Sequence, residues 1–186
     1  MENQQLTSLE TITLGGGCFW CTEAVFEQVR GVHRVVSGYC GGHLANPDYH
    51  SVCEGGSGHA EVVQVAFDPA VIDFRGILEI FFATHDPTTP GRQGNDVGTQ
   101  YRSVIFYGSD AQRETAASLI DELDASEGWP APIVTELAPA ATFYPAEDYH
   151  QHYFARNPAQ SYCQFVVAPK LDKFRRKFAA LLRPSR

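Results

Sequence analysis

The chain has 186 residues, 44% hydrophobic and 19% charged, which is an ordinary globular balance and enough for one substantial core. Its formal net charge of −8 argues against a nucleic-acid or anionic-membrane surface. No apolar run approaches the roughly 18 residues of a membrane helix, and the polar first residues lack a signal-like stretch, so a soluble cytoplasmic protein is expected.

Residues 11–17 read as a short buried strand running into the turn Gly15-Gly16-Gly17. A helix is expected at 18–30, with Ala24, Val25, Phe26 and Val29 at helical spacing and Gly31 as its stop. Residues 32–39 read as a strand, and 41–59, without periodicity and rich in Gly, His, Asn, Pro and Ser, as a long functional loop. The β-branched run at 60–68 reads as a strand, and 74–84 as a helix with Ile77, Leu78, Ile80, Phe81 and Phe82 on its apolar face. A second Gly/Pro-rich loop covers 85–99. A strand at 100–107, a helix at 110–126 capped by Ser109 or Asp110, a short strand at 133–137 and a short helix at 146–156 follow. The basic end places Leu171, Phe174, Phe178 and Leu181 at helical spacing, so 168–186 reads as an amphipathic helix docked on the body. Strands and helices mix without strict alternation. One α+β domain over 1–186 is therefore expected, with a polar extension at 1–10.

The chemistry points to Cys18. It follows three glycines and stands where a helix begins, so unpaired N–H groups and the helix dipole are expected to favour its thiolate and lower its pKa. The alternative is a small apolar filler, the usual fate of a free cysteine. Cys18 and Cys21 form C-x-x-C, one helical turn apart and suited to redox work. The five cysteines, Cys18, Cys21, Cys40, Cys53 and Cys163, are odd in number and argue against a disulfide framework. Structural zinc is disfavoured, because no second C-x-x-C exists and His150 and His152 are separated by only one residue. Glu61 opens a strand after a glycine-rich loop. Facing outward it is a solvated carboxylate; facing inward, burial would raise its pKa and make it a proton donor. Tyr49, Tyr101 and Asp96 sit in or beside the long loops, where a tyrosine can simply pack and an aspartate can cap a turn.

With these residues set out, the chain resembles the A-type peptide methionine sulfoxide reductases over residues 15–162. The resemblance rests on stretches in matching order. These are Gly17-Cys18-Phe19-Trp20, Gly38-Tyr39-Cys40-Gly41-Gly42, Gly58-His59-Ala60-Glu61, His85-Asp86-Pro87-Thr88, the run at 93–103, and the run at 143–151. It implies a two-layer sandwich around a mixed sheet with a ferredoxin-like core. It also implies Cys18 as nucleophile, Glu61 as proton donor, Tyr49 and Tyr101 as oxygen-binding hydroxyls, Asp96 as the loop aspartate, and Phe19 with Trp20 as the pocket for the substrate methyl. The implied reaction reduces methionine S-sulfoxide, protein-bound or free, leaves a sulfenic acid on Cys18, and closes a disulfide reduced by thioredoxin. No bound cofactor, metal, nucleic acid or membrane is called for, and a monomer is expected. Protein repair under oxidative stress is the implied role, compatible with a chain whose one methionine is Met1.

Two departures leave the resolving thiol open. Many members have glycine where Cys21 stands, while a subset has cysteine there and can use it to resolve. Many also carry a resolving cysteine in a glycine-rich tail; here Cys163 is followed by an apolar and then helical segment. Cys21 and Cys163 are equal candidates, ahead of Cys40 and Cys53. The rival readings are a general thiol–disulfide oxidoreductase using Cys18 and Cys21 alone, which would not need Glu61, and a metal-binding module built on cysteines and histidines.

Overall fold

The computed structural model describes residues 8–184. Most of the expected polar extension, residues 1–7, and the end of the expected C-terminal helix, residues 185–186, lie outside the described residues. The chain runs through β1 (Glu10–Gly16), α1 (Phe19–Phe26), β2 (Val32–Cys40), a short helix α2 (Tyr49–Cys53), β3 (Ala60–Phe67) and α3 (Phe74–Ala83). A small hairpin, β4 (Arg92–Gln93) with β5 (Asp96–Val97), leads through a 3-10 turn at Thr99–Tyr101 into β6 (Ser103–Tyr107). Then come α4 (Asp110–Ala125), β7 (Glu136–Pro139), β8 (Tyr144–Pro145), α5 (Tyr153–Arg156), a π-helical turn at Cys163–Val167 and α6 (Ala168–Lys177).

The main sheet has six strands in the order β7-β6-β1-β3-β2-β8. Its neighbours are antiparallel except β6 and β7, which run parallel, so the sheet is mixed. The inner order β6-β1-β3-β2, with α1 between β1 and β2 and α3 between β3 and β6, is the split βαβ arrangement of ferredoxin-like folds. The α+β class and the ferredoxin-like core expected from the sequence are therefore observed.

Strand alternation decides which side chains face the helices. Ile12, Leu14, Val35, Val63, Val65, Phe67 and Ile105 share one buried cluster with Phe19, Val25 and Phe26 of α1 and with Ile77, Leu78 and Phe81 of α3. Ala60, Val62, Val104 and Phe106 form a second cluster on the opposite face, against half-buried Phe143. Each large apolar side chain so buried contributes roughly 2 kcal/mol of transfer free energy. Glu61 lies two positions before Val63, and that parity turns it toward the helices.

Several boundaries differ from the sequence reading. α1 stops at Phe26 rather than reaching residue 30, because Gln28 and Val29 bond back to Val25 and Phe26, tightening the last turn. The loop at 41–59 contains α2, held by a reciprocal cap between Asp48 and Ser51. β6 begins at Ser103, since Gly98, Thr99 and Tyr101 close a turn first. The expected helix at 146–156 is broken. Asp148–His150 form a 3-10 turn, His152 takes a left-handed conformation (φ 55), and only Tyr153–Arg156 are α-helical. Gln151 explains the break: its side-chain amide clasps the Ser37 backbone of β2, accepting at 3.0 Å and donating at 2.9 Å. Ser109 caps α4, its hydroxyl accepting from Gln112 at 3.2 Å. At the basic end Leu171 and Phe174 of α6 are buried, and a 3-10 turn at Ala179–Leu181 follows. No helix among the described residues is long and apolar enough to cross a membrane.

Candidate active site

The end of β1 and the head of α1 make the site's floor. Gly17 has φ +95, and a Cβ there would stand 2.6 Å from Gln93 Cγ, so the turn requires glycine on both counts. Cys18 follows as the N-cap residue of α1 and is half-buried. Its thiol departs from the sequence expectation. Burial pushes it well up, helped by a hydrogen bond with Cys21 and by the Glu61 carboxylate; the Trp20 N–H pulls the other way and loses. The first N–H of the helix is spent elsewhere, since Phe19 N donates to Glu61 Oε1 at 3.1 Å. The helix head therefore serves the glutamate more than the cysteine, and its surroundings hold Cys18 as a thiol.

Glu61 points inward and is 1% exposed. Burial raises its pKa to about 8, against the Phe19 N–H, with Asp96 and Cys21 adding to the rise. It thus keeps its proton at neutral pH. Tyr49 opens α2 and Tyr101 closes the 3-10 turn before β6. Both hydroxyls are pushed up, first by burial and then by negative neighbours that include Glu61, so both remain donors. Tyr49 and Tyr101 come from the two long loops, and both feel Glu61 on β3.

The aromatic pair behaves unequally. Phe19 is 1% exposed and packs on Tyr39 and His150, with ring centroids at 5.7 Å and 5.0 Å, so it belongs to the core beneath the site. Trp20 is half-buried; its indole N–H donates to His150 Nδ1 at 3.0 Å and its ring stacks on Tyr153 at 3.7 Å. Asp96 accepts a 2.6 Å hydrogen bond from the Tyr162 hydroxyl, whose ring edges Trp20 at 5.7 Å.

Tyr153, Tyr162 and Glu147 carry no signal of their own in the sequence, and His150 is weighed there only as a metal ligand. His150 is fully buried, its pKa lowered by burial, and its ring also lies 4.4 Å from that of Tyr49. Glu147 accepts from the Tyr39 hydroxyl at 2.9 Å and from the Tyr49 N–H at 3.0 Å, so one carboxylate sets the start of α2. The density of aromatics and histidines at 143–153 was the available signal, but no spacing rule assigns such residues to Trp20.

The thiols differ sharply. Cys21 is 3% exposed; its hydrogen bond with Cys18 lowers it, against burial, and Lys170 and Tyr162 lower it further. Its sulfur lies 3.9 Å from the Tyr162 oxygen. Cys163 is 0% exposed within the π-helical turn, and burial pushes its thiol up. Cys40 is buried with its sulfur 3.8 Å from the Ala141 carbonyl, and Cys53 is exposed. All five cysteines are free. Among the described residues, Glu23, Glu27 and His152 bring three possible metal donors within 4.8 Å, and no cysteine is among them. Glu23 accepts from the Ser37 hydroxyl at 2.9 Å and the Tyr153 N–H at 3.3 Å, and Glu27 pairs with His152. These bonds pin α5, and with it Tyr153, against α1.

A ferredoxin-like sheet that brings paired thiols beside a buried, protonated glutamate defines a thiol-based oxidoreductase. The family model described as peptide methionine sulfoxide reductase matches residues 10–182. A peptide methionine sulfoxide reductase MsrA of Chromobacterium violaceum is 59% identical over 174 residues, covering 94% of this chain and 99% of that one. Reduced Mxr1 of Saccharomyces cerevisiae superposes with a TM-score of 0.77 at 36% identity, over 86% of this chain and 91% of that one. Mxr1 in complex with Trx2 superposes with a TM-score of 0.55 at 28% identity, over 82% and 90% of the two chains. The chain belongs to the peptide methionine sulfoxide reductase family, enzymes that reduce methionine sulfoxide to methionine.

Proposed function

We propose that this chain reduces methionine S-sulfoxide, protein-bound and free, through Cys18, Glu61, the hydroxyls of Tyr49 and Tyr101, and Cys21 as the resolving thiol. The observation that carries the reading is the state of Glu61: buried, hydrogen-bonded to Phe19 N, and raised to about 8, so it holds a proton at neutral pH beside Cys18. Sulfoxide oxygen leaves poorly unless protonated. Glu61 donates its proton to that oxygen while Tyr49 and Tyr101 hydrogen-bond it, which makes the sulfur electrophilic. A neutral Glu61 also ceases to oppose the Cys18 thiolate, whose proton passes along the hydrogen bond to Cys21. The sulfoxide oxygen ends on Cys18 as a sulfenic acid and methionine leaves. Trp20, oriented by His150 and Tyr153, packs the substrate methyl, and Phe19 supports that wall from below. Asp96 fixes Tyr162 beside Cys21.

Condensation of the sulfenic acid with the Cys21 thiol releases water and forms a Cys18–Cys21 disulfide. Cys21 is favoured over Cys163 because its thiol already bonds Cys18, whereas Cys163 is sealed in apolar packing. A thioredoxin dithiol reopens the disulfide by exchange, in keeping with Mxr1 being found with Trx2. The cycle needs no bound cofactor or metal, and it suits a cytoplasmic, monomeric repair enzyme acting on oxidised proteins. The test is Glu61→Gln. Methionine sulfoxide reduction should fall by roughly 10²–10⁴, the usual loss for a general acid. Retained activity would overturn the assignment.

A further inference from the structure

A cavity of about 620 Å³ opens beside α6, between the end of α3 and the segment carrying Trp129, and neither Cys18 nor Cys21 lines it. Lys170, Lys173 and Lys177 line one wall, and Phe82, Trp129 and Phe178 supply apolar surface. The lysines stand at i, i+3 and i+7 on one face of α6, spanning about 10 Å of its length at a rise of about 1.5 Å per residue. None of them has an ion pair among the described residues. Two nearby acids are already committed. Asp172 pairs with Arg175, and Asp86 accepts from the Thr88 N–H and hydroxyl. Seven of the chain's 14 Lys and Arg residues fall between 168 and 186 against the single acid Asp172, in a chain whose net charge is −8. Three of those seven, Lys170, Lys173 and Lys177, line the partly apolar cleft.

We propose that this cleft binds an extended acidic segment of a partner protein. A single small anion meets one lysine, not a row about 10 Å long. An extended chain presents every second side chain to the same side, about 6.6 Å apart, so alternating carboxylates would face the lysines while intervening apolar side chains turn toward the wall that carries Trp129. The cleft also touches Gln93, which packs on Gly17 next to Cys18, and the Lys170 charge is felt at Cys21. An occupant would therefore be held behind the reactive turn.

The experiment titrates the full chain with the acetylated, amidated peptide Glu-Leu-Glu-Leu-Glu and follows the two indole N–H signals by NMR. The Trp129 signal should shift while that of Trp20 stays, and binding should weaken with salt. The Lys173→Glu/Lys177→Glu double variant, altered only at exposed side chains, should bind about tenfold more weakly or worse, as expected when charge complementarity is reversed. Arg175→Glu, which lies outside the cleft against Gln28, should leave affinity little changed. Four outcomes would overturn the proposal: no shift at millimolar peptide, equal binding of Gln-Leu-Gln-Leu-Gln, equal binding by the double variant, or inorganic phosphate at the same concentration giving the same Trp129 shift.

Discussion

At the head of α1 two sulfurs lie one turn apart at a half-open strand–helix junction, while in the π-helical turn before α6 one sulfur is shut in. Cys18 and Cys21 share a hydrogen bond and are surrounded by polar groups: the Glu61 carboxyl, the Tyr101 and Tyr162 hydroxyls and, at a distance, the Lys170 charge. Cys163 sits at 0% exposure in the apolar cluster with Val167, Leu171 and Phe174. Both regions pair cysteine with aromatic residues in the sequence. The difference is one of cover over a short distance: the head of α1 leaves Cys18 and Trp20 half-buried, while Cys163, next to the Tyr162 that touches Cys21, is closed over by α6. Reactivity here is a property of the surroundings, not of the residue type.

The sharpest way to break this contrast is to remove each thiol. Cys21→Ser should still release one methionine per enzyme, with Cys18 left as sulfenic acid, but thioredoxin-driven turnover should drop by about 100-fold as recycling loses its disulfide. Cys163→Ser should leave turnover nearly unchanged. Mass spectrometry after one turnover without reductant should find Cys18 joined to Cys21; a Cys18–Cys163 link would reverse the comparison.

The pH profile sharpens it next. Glu61 is raised to about 8 and acts protonated, so kcat/KM should fall about tenfold per unit above that pH, and should fall again below about 7, where Cys21 is protonated and no longer takes the Cys18 proton. The same shift bears on stability. A carboxyl whose folded pKa is raised favours the fold fully below its unfolded value near 4.3, and that contribution is lost as pH rises through about 8. Denaturation at pH 9 should therefore find Glu61→Gln more stable than the parent, on the order of a few kcal/mol, whereas near pH 4 the two should be alike. A difference between parent and Glu61→Gln that is the same at both pH values would mean that Glu61 is not a buried acid.

The smallest effect expected is on packing. Cys163→Ser places a hydroxyl where no water reaches and should cost about 1–3 kcal/mol of stability in chemical denaturation, with activity intact. Cys53→Ser, at an exposed position, should change stability by less than about 0.5 kcal/mol.

The sequence by itself determined the α+β class, the strand–glycine–helix junction that presents Cys18, and the set of stretches that marks the family. Those signals are local: glycine where φ must be positive, apolar spacing of period two or 3.6, and short runs in order. The C-x-x-C spacing likewise announced that Cys21 stands one turn from Cys18. Tertiary structure alone decided the rest. Whether Glu61 faced solvent or core depended on its register with β1 and β2, which no local pattern fixes. The same packing spent the helix N–H on that glutamate and raised the Cys18 thiol instead of lowering it. His150 and Tyr153 reach Trp20 across more than a hundred residues of chain only because Gln151 and Glu23 pin their segment to β2 and α1. Spacing along the chain records what is near in sequence, while pKa values and side-chain orientation are set by what folding brings near in space.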